Sequence, residues 1–368
     1  MSGLARTVYV SNGRGGTVTP IDTATNMAGP PIPVGLGPGL IAVTPDGKTA
    51  YVTSNDAVVV PIATATNTVA PPIPVGRSPD GIAITPDGKT IYVACIGPGT
   101  VVPIATAANK PSPPIPVGVR PRAITITPDG RTAYVVNQSR PQPPPWRSYE
   151  AEKRGRPQAS PDPRGTVVPI ATATDTPGPP IDVGNEPLAI AITPDGTTVY
   201  VANTWDAESG PCTVTPIATA TNTPGLPIPV GRGPWAFAIT PDGKTAYVVN
   251  FHSHTVTPIA TATNMPGPPI PVGEGPRSIA ITPDGTTAYV ASWQAGTVTP
   301  IATATGTPGK PIEVGVGARA VAITPDGTTA YVVVWGEPGM VVPVATATNT
   351  PGPPIQVGDG PYAIAITP

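Results

Sequence analysis

The sequence predicts an all-β fold, a single eight-bladed β-propeller with four antiparallel strands per blade, and three observations predict it. The tetrapeptide Thr-Pro-Asp-Gly recurs seven times, starting at Thr44, Thr85, Thr127, Thr193, Thr240, Thr282 and Thr324, and Thr367-Pro368 begins an eighth copy. Variants of Pro-Ile-Ala-Thr-Ala-Thr start at Pro20, Pro61, Pro103, Pro169, Pro216, Pro258, Pro300 and Pro343. Tyr-Val pairs at Tyr9, Tyr51, Tyr92, Tyr134, Tyr200, Tyr247, Tyr289 and Tyr331 lie about 42 residues apart, except for one spacing of 66 and one of 47. Four short apolar segments in every 40 to 45 residues, with no helical period, are the pattern of a propeller blade.

The third repeat shows each element in order. Residues 82–85, Ile-Ala-Ile-Thr, predict an inner strand, and Pro86-Asp87-Gly88-Lys89 supplies Pro and Gly for a tight antiparallel turn. Residues 90–93 predict the second strand, 100–106 the third and 114–118 the outer one. Inner strands carry Ile41, Ile82, Ile124, Ile190, Phe237, Ile279, Val321 and Ile364 beside alanines, so a large face of one blade is expected to meet a small face of the next. Prolines in the outer strand remove donors that would recruit a foreign strand. Proline in the third strand is less expected, and its missing N–H should face the outer strand or a bulge. The chain opens with three strands of one blade and ends, at residues 361–368, with a lone inner strand. Pairing the two closes the ring, so residues 1–368 read as one domain.

Composition narrows the function classes. Gly (41) and Pro (58) exceed a quarter of the 368 residues, a level that would read as disorder without the periodicity. The 20 basic and 22 acidic side chains nearly cancel, to a net charge of −2, which excludes a nucleic-acid binder working by bulk charge. No apolar run is long enough to span a bilayer, and the first six residues do not form a signal peptide. The expectation is a soluble, cytoplasmic monomer that engages neither nucleic acid nor membrane, or a secreted one if a leader was removed. Cys95 and Cys212 lie a whole repeat apart, out of disulfide reach, and neither has a sequence-local base to activate it.

The segment from Val75 to Val93, with Pro79-Asp80-Gly81-Ile82-Ala83-Ile84-Thr85-Pro86-Asp87-Gly88-Lys89 at its centre, and its copies resemble the YVTN family of β-propeller repeat proteins. That family is related to surface-layer and lactonase-like propellers. The resemblance covers essentially everything except residues 138–164. It implies the fold and little about activity, since such propellers include both binding scaffolds and enzymes. No copy reads Tyr-Val-Thr-Asn literally, and members commonly have seven blades.

Repeats within one chain can be compared with each other. Turns between inner and second strands, and between third and outer strands, share one face of the disc and are almost uniform. The other face holds nearly all the variation, which fits a site carried on loops of a rigid scaffold. The residue after Pro, or after Ala318, at the start of each inner strand is Gly39, Asp80, Arg122, Leu188, Trp235, Arg277, Arg319 or Tyr362, and these eight should ring the channel mouth. Their arginines and aromatics can hold an anionic or planar ligand. Trp205, Trp293 and Trp335, in neighbouring loops, can wall the same pocket.

Both histidines, His252 and His254, lie in one such loop. If that loop is extended, the two imidazoles point the same way and can serve as acid, base or ligands of a divalent metal, with Asp206 or Glu208 as a third ligand. The Pro-rich insertion 138–164, with Trp146 and Tyr149, reads as a loop or lid on the same face. No nucleotide or flavin fingerprint occurs, and Gly-Lys-Thr at Gly47, Gly88 and Gly243 lacks the glycine spacing and helix of a phosphate loop. The function expected is binding of a small molecule or protein at the variable face. The alternatives are a small-molecule enzyme of lyase, hydrolase or cyclase type at the same mouth, and a structural surface protein.

Overall fold

The computed structural model describes residues 6–138, 164–204 and 212–368. Most of the 138–164 insertion, with Trp146 and Tyr149, lies outside the described residues, as do Trp205, Asp206 and Glu208.

Eight antiparallel sheets are arranged as blades, and no helix occurs among the described residues. Blades are numbered here by their inner strands: Ile41–Val43 (blade 1), Pro79–Ile84 (2), Pro121–Ile126 (3), Pro187–Ile192 (4), Pro234–Ile239 (5), Pro276–Ile281 (6), Ala318–Ile323 (7) and Pro361–Ile366 (8). In blade 8 the inner strand comes from the C-terminal end of the chain and pairs with Thr7–Asn12, setting Ile366 opposite Val8 and Ile364 opposite Val10. The ring closes as the repeat pattern predicts.

The core is divided among the joints between blades. Tyr331, Val333 and Val341 of blade 7, for instance, pack with Val8, Val10 and Ile21 of blade 8. Ile364 and Ile366 pack into this cluster, as does Ala320 of blade 7, so a large inner face meets a small one. At the joint between blades 5 and 6, Ile279 and Ile281 of blade 6 pack with Ala236 and Ala238 of blade 5.

The outer strand differs from the single segment expected. In blade 2 it consists of two dipeptide strands, Lys110–Pro111 and Ile115–Pro116, both paired with Thr100–Ala105. Proline in the third strand accounts for the break. The Pro103 carbonyl accepts one hydrogen bond from Ser112 N (2.8 Å), but Pro103 has no N–H to continue the ladder on that side. The same single bond ends on Pro20, Pro61, Pro169, Pro216, Pro258, Pro300 and Pro343. Each outer edge is thus short, proline-bearing and poorly suited to templating another strand.

A second ring of contacts ties each blade to the next. The Tyr200 hydroxyl of blade 4 donates to Asn264 Oδ1 of blade 5 at 2.6 Å. Equivalent bonds of 2.5 to 2.7 Å join Tyr9 to Asn67, Tyr51 to Asn109, Tyr92 to Asp175, Tyr134 to Asn222, Tyr289 to Asn349 and Tyr331 to Asn26. Every acceptor residue is left-handed, with φ between 50° and 56°, a conformation that Asn and Asp tolerate better than other side chains. Burial pushes the Tyr200 hydroxyl up to about 12, so it stays protonated and able to donate at neutral pH. Tyr200→Phe is expected to cost about 1 kcal/mol, seen as a lower urea midpoint with unchanged slope. An unchanged midpoint would show that this bond contributes nothing.

The uniform face rests on the Thr-Pro-Asp-Gly turns. In each, the Thr hydroxyl donates to the Asp carboxylate, as from Thr240 to Asp242 at 2.6 Å, and a backbone N–H two residues on adds a second bond. These donors hold all seven Asp carboxyls below their usual range, Asp242 and Asp326 at about 2. A folded-state pKa below the unfolded one gives stability that is present above an ordinary carboxylate pKa of about 4 and lost as pH falls through the folded value. Tm is therefore expected to drop between pH 4 and pH 2 at constant ionic strength, as followed by circular dichroism. A flat profile over that window would contradict this role for the turns.

Candidate binding site at the channel mouth

A bulge starts the inner strand in seven blades. Opposite Cys95 and Ala94, for example, the register steps from Pro79 to Gly81 and leaves Asp80 unpaired. The same step isolates Arg122, Leu188, Trp235, Arg277, Arg319 and Tyr362. An unpaired bulge residue is re-aimed out of the ladder, so the mouth positions expected from the repeats share one backbone cause. Blade 1 departs from the pattern: its inner strand begins only at Ile41, leaving Gly39 outside it.

The mouth has two unlike arcs. Across blades 2 and 3, Arg122 is neutralised: Nη1 contacts Asp80 Oδ2 at 3.0 Å and Nε donates to Gln138 Oε1 at 3.1 Å. Glu186, on blade 4, has its carboxyl pushed up by burial, against the pull of Arg120 and Arg122.

The other arc, over blades 5 to 8, is cationic and aromatic. The Arg277 guanidinium lies 4.7 Å from the Trp293 ring centroid and 5.2 Å from those of Trp235 and Phe251. Arg319 lies 4.0 Å from the Tyr362 ring and 5.8 Å from Trp293, while its Nε donates to the Tyr362 carbonyl at 3.1 Å. Trp335 continues the array, 5.8 Å from Trp293 and under Arg14, whose guanidinium is 4.9 Å from the Trp335 ring and also contacts Glu337. Trp235 and Tyr362 are about 40% exposed, so the arc opens to solvent.

Arg277 is the least satisfied group of this arc. Its Nε is buried without a hydrogen-bond partner, and neither Arg277 nor Arg319 pairs with a carboxylate among the described residues. Burial, and then the like charge of Arg319, lower the Arg277 pKa from its usual value. Stacked rings orient such guanidinium groups without neutralising them, which leaves their donors for an anion.

The histidines are arranged differently from the extended pair expected. Residues 251–254 form a tight turn, and His254 is left-handed (φ 56°), so strand alternation does not align the two rings. His254 Nδ1 accepts from Gly275 N at 3.0 Å, and His252 sits edge-on to Phe251 with centroids 5.0 Å apart. Among the described residues no three His, Cys, Asp or Glu side chains converge as a metal site. Cys95 and Cys212 are free and buried, and burial pushes the Cys95 thiol up to about 12, away from nucleophile chemistry.

The repeat comparison thus picked out Arg277, Arg319, Trp235, Tyr362, Trp293 and Trp335, which the structure brings together. It picked out Asp80 and Arg122 too, which lie on the ion-paired arc. Phe251 and Arg14 escaped it: both come from second-to-third-strand loops, where the repeats do not align position by position, and unlike Trp293 and Trp335 neither is a tryptophan whose rarity singles it out.

Several solved structures share the architecture. The dihydro-heme d1 dehydrogenase NirN, solved in complex with DHE, aligns over 98% of this chain and 74% of its own with a TM-score of 0.77 and 16% identity. Kuenenia stuttgartiensis hydrazine synthase aligns over 87% of this chain and 95% of its own (TM-score 0.63, 20% identity). Apo AztD from Citrobacter koseri aligns over 98% of both chains (TM-score 0.69, 13% identity). At these identities the likeness is one of fold. No curated protein matches the chain significantly. Residues 81–267, about half of the sequence, match the family described as Lactonase, 7-bladed beta-propeller. The chain therefore belongs to the lactonase 7-bladed β-propeller family, within which it carries eight blades.

Proposed function

We propose that the protein binds a small anionic molecule with a planar body at the channel mouth, the anion on Arg277 and Arg319 and the planar part against Trp293 and Tyr362. The observation that carries this reading is Arg277 itself, half-buried among three rings, beside a second arginine, with Nε buried and unpartnered. Two like charges in such surroundings repel each other, and an anion between them turns repulsion into charge-assisted hydrogen bonds. Stacking on the rings adds shape selection without further charge. The likeness to NirN, described in complex with DHE, is compatible with small-molecule binding on this fold.

The test is a tryptophan-fluorescence titration with benzoate, a porphyrin carboxylate and uncharged benzamide in low-salt buffer. A carboxylate should quench saturably and benzamide should not, and added salt should weaken the response. Equal responses to benzoate and benzamide would overturn the reading.

Family membership favours a second reading at the same place, a hydrolase acting on a cyclic ester. In that reading Arg277 and Arg319 stabilise the oxyanion and His252, in the adjacent loop, moves the proton. Lactone hydrolysis abolished in His252→Ala with the fold intact would support it. No hydrolysis across a lactone panel would leave the binding role alone.

A further inference from the structure

We infer that blade 6 is a hydrated, loosened joint in the ring, in which one buried water molecule is held by three hydroxyls where other blades place an asparagine amide. The chain supplies its own controls. In blades 4, 5 and 8 the second strand ends in Asn203, Asn250 or Asn12, and the side-chain Nδ2 donates to two Thr hydroxyls of the third strand at 2.9 to 3.2 Å. In blades 1 and 7 the same place is apolar on the third-strand side, with Val58 and Val60 or Met340 and Val342, and the second strand ends in Ser54 or Val334. In the asparagine blades both threonine hydroxyls are thus bonded, and the amide Oδ1 is the one atom of the group left without a partner in the protein.

Blade 6 mixes the two. It keeps both threonines, Thr297 and Thr299, but ends its second strand in Ser292, which is too short to bridge them. All three hydroxyls are buried, at 6%, 1% and 0% exposure, and none has a hydrogen-bond partner in the protein. Unpaired buried hydroxyls are costly, and a water that donates to two of them and accepts from the third removes most of that cost. Nothing here depends on which ligand occupies the channel mouth.

An independent feature weakens the outer side of the same blade. The left-handed position that holds Asn or Asp in the other seven blades is Gly306 here (φ 66°), so Tyr247 donates instead to the Thr303 carbonyl at 3.0 Å. Blade 6 therefore lacks both of the ring's recurrent amide contacts. It also carries Arg277, and Trp293 directly follows Ser292, so the softest joint lies beneath the cationic arc.

The test uses Ser292→Asn and Gly306→Asn in the full chain. Each should raise Tm by about 2 °C, the small shift that one added hydrogen-bond set produces in a chain this long. Ser292→Asn should also slow amide hydrogen exchange across residues 287–299 at least threefold, bringing it to the level of residues 245–257 in blade 5. Unchanged exchange would overturn the inference. A second measurement stands on the native chain: crystallographic density should show a single solvent peak within hydrogen-bond distance of the Ser292, Thr297 and Thr299 hydroxyls, and its absence would refute the water site.

Discussion

A chain lacking residues 361–368 is expected to lose its cooperative folded state. The deletion removes the inner strand of blade 8, whose register runs from Val8 opposite Ile366 to Asn12 opposite Pro361. It also removes the bonds from Thr7 N to Thr367 Oγ1 (2.9 Å), from Thr367 N to the Thr7 carbonyl (3.0 Å) and from Ala363 N to Ser11 Oγ (3.1 Å). Ile364 and Ile366 leave the cluster shared with blade 7, and Pro368 leaves its contact over Gly47 of blade 1. At roughly 1 kcal/mol per hydrogen bond and 1–2 kcal/mol per half-buried isoleucine, the loss is about 5 kcal/mol or more. That rivals the whole stability of many domains, and it exposes a long inner strand edge besides. Thermal unfolding should show no sharp transition, and a synthetic peptide of residues 361–368 should restore one in trans. A truncated chain melting within a few degrees of the full one would contradict ring closure as a stabilising device.

Arg277→Ala is expected to weaken carboxylate binding by about 10- to 100-fold while leaving Tm nearly unchanged. A charge-assisted hydrogen bond in partly desolvated surroundings contributes about 1.5–3 kcal/mol, and each 1.4 kcal/mol is tenfold in affinity. Stability should be spared because Arg277 has no carboxylate partner to orphan among the described residues, and its removal relieves repulsion from Arg319. Arg122→Ala is the matched control. It removes a guanidinium from the same ring of bulge positions, but one already held by Asp80 and Gln138, so affinity should change little. Equal losses from both substitutions would mean that the mouth responds to overall charge rather than to an unpaired guanidinium.

The fold was legible because its determinants are local and repeated. Thr-Pro-Asp-Gly encodes a turn through its own side chains, and alternation of Ile with Ala encodes which face meets which. What escaped the sequence depends on partners distant along it. The Tyr200 to Asn264 bond spans 64 positions and joins different blades, so Asn264 looked like an ordinary turn residue. The division of the outer strand follows from a carbonyl-only position in the neighbouring strand, a consequence of Pro103 visible only once the register is known. At the mouth the eight positions could be aligned from the repeats, but whether an arginine there is spent or free could not. Arg122 and Arg277 occupy the same bulge position, and their partners distinguish them, Asp80 and Gln138 in one case, Trp235, Phe251 and Trp293 in the other. The relative orientation of the two histidines escaped the sequence for a local reason, since a four-residue turn does not obey strand alternation.

The most direct measurement is a crystal grown without sulfate or phosphate, soaked in para-iodobenzoate, and examined for iodine anomalous scattering. The predicted result is one dominant peak beside the Trp293 and Tyr362 rings, with carboxylate density on Arg277 and Arg319, absent from crystals of Arg277→Ala. Iodine distributed over the Asp80–Arg122 arc or the uniform face, with none at Arg277, would contradict the channel mouth as an anion site.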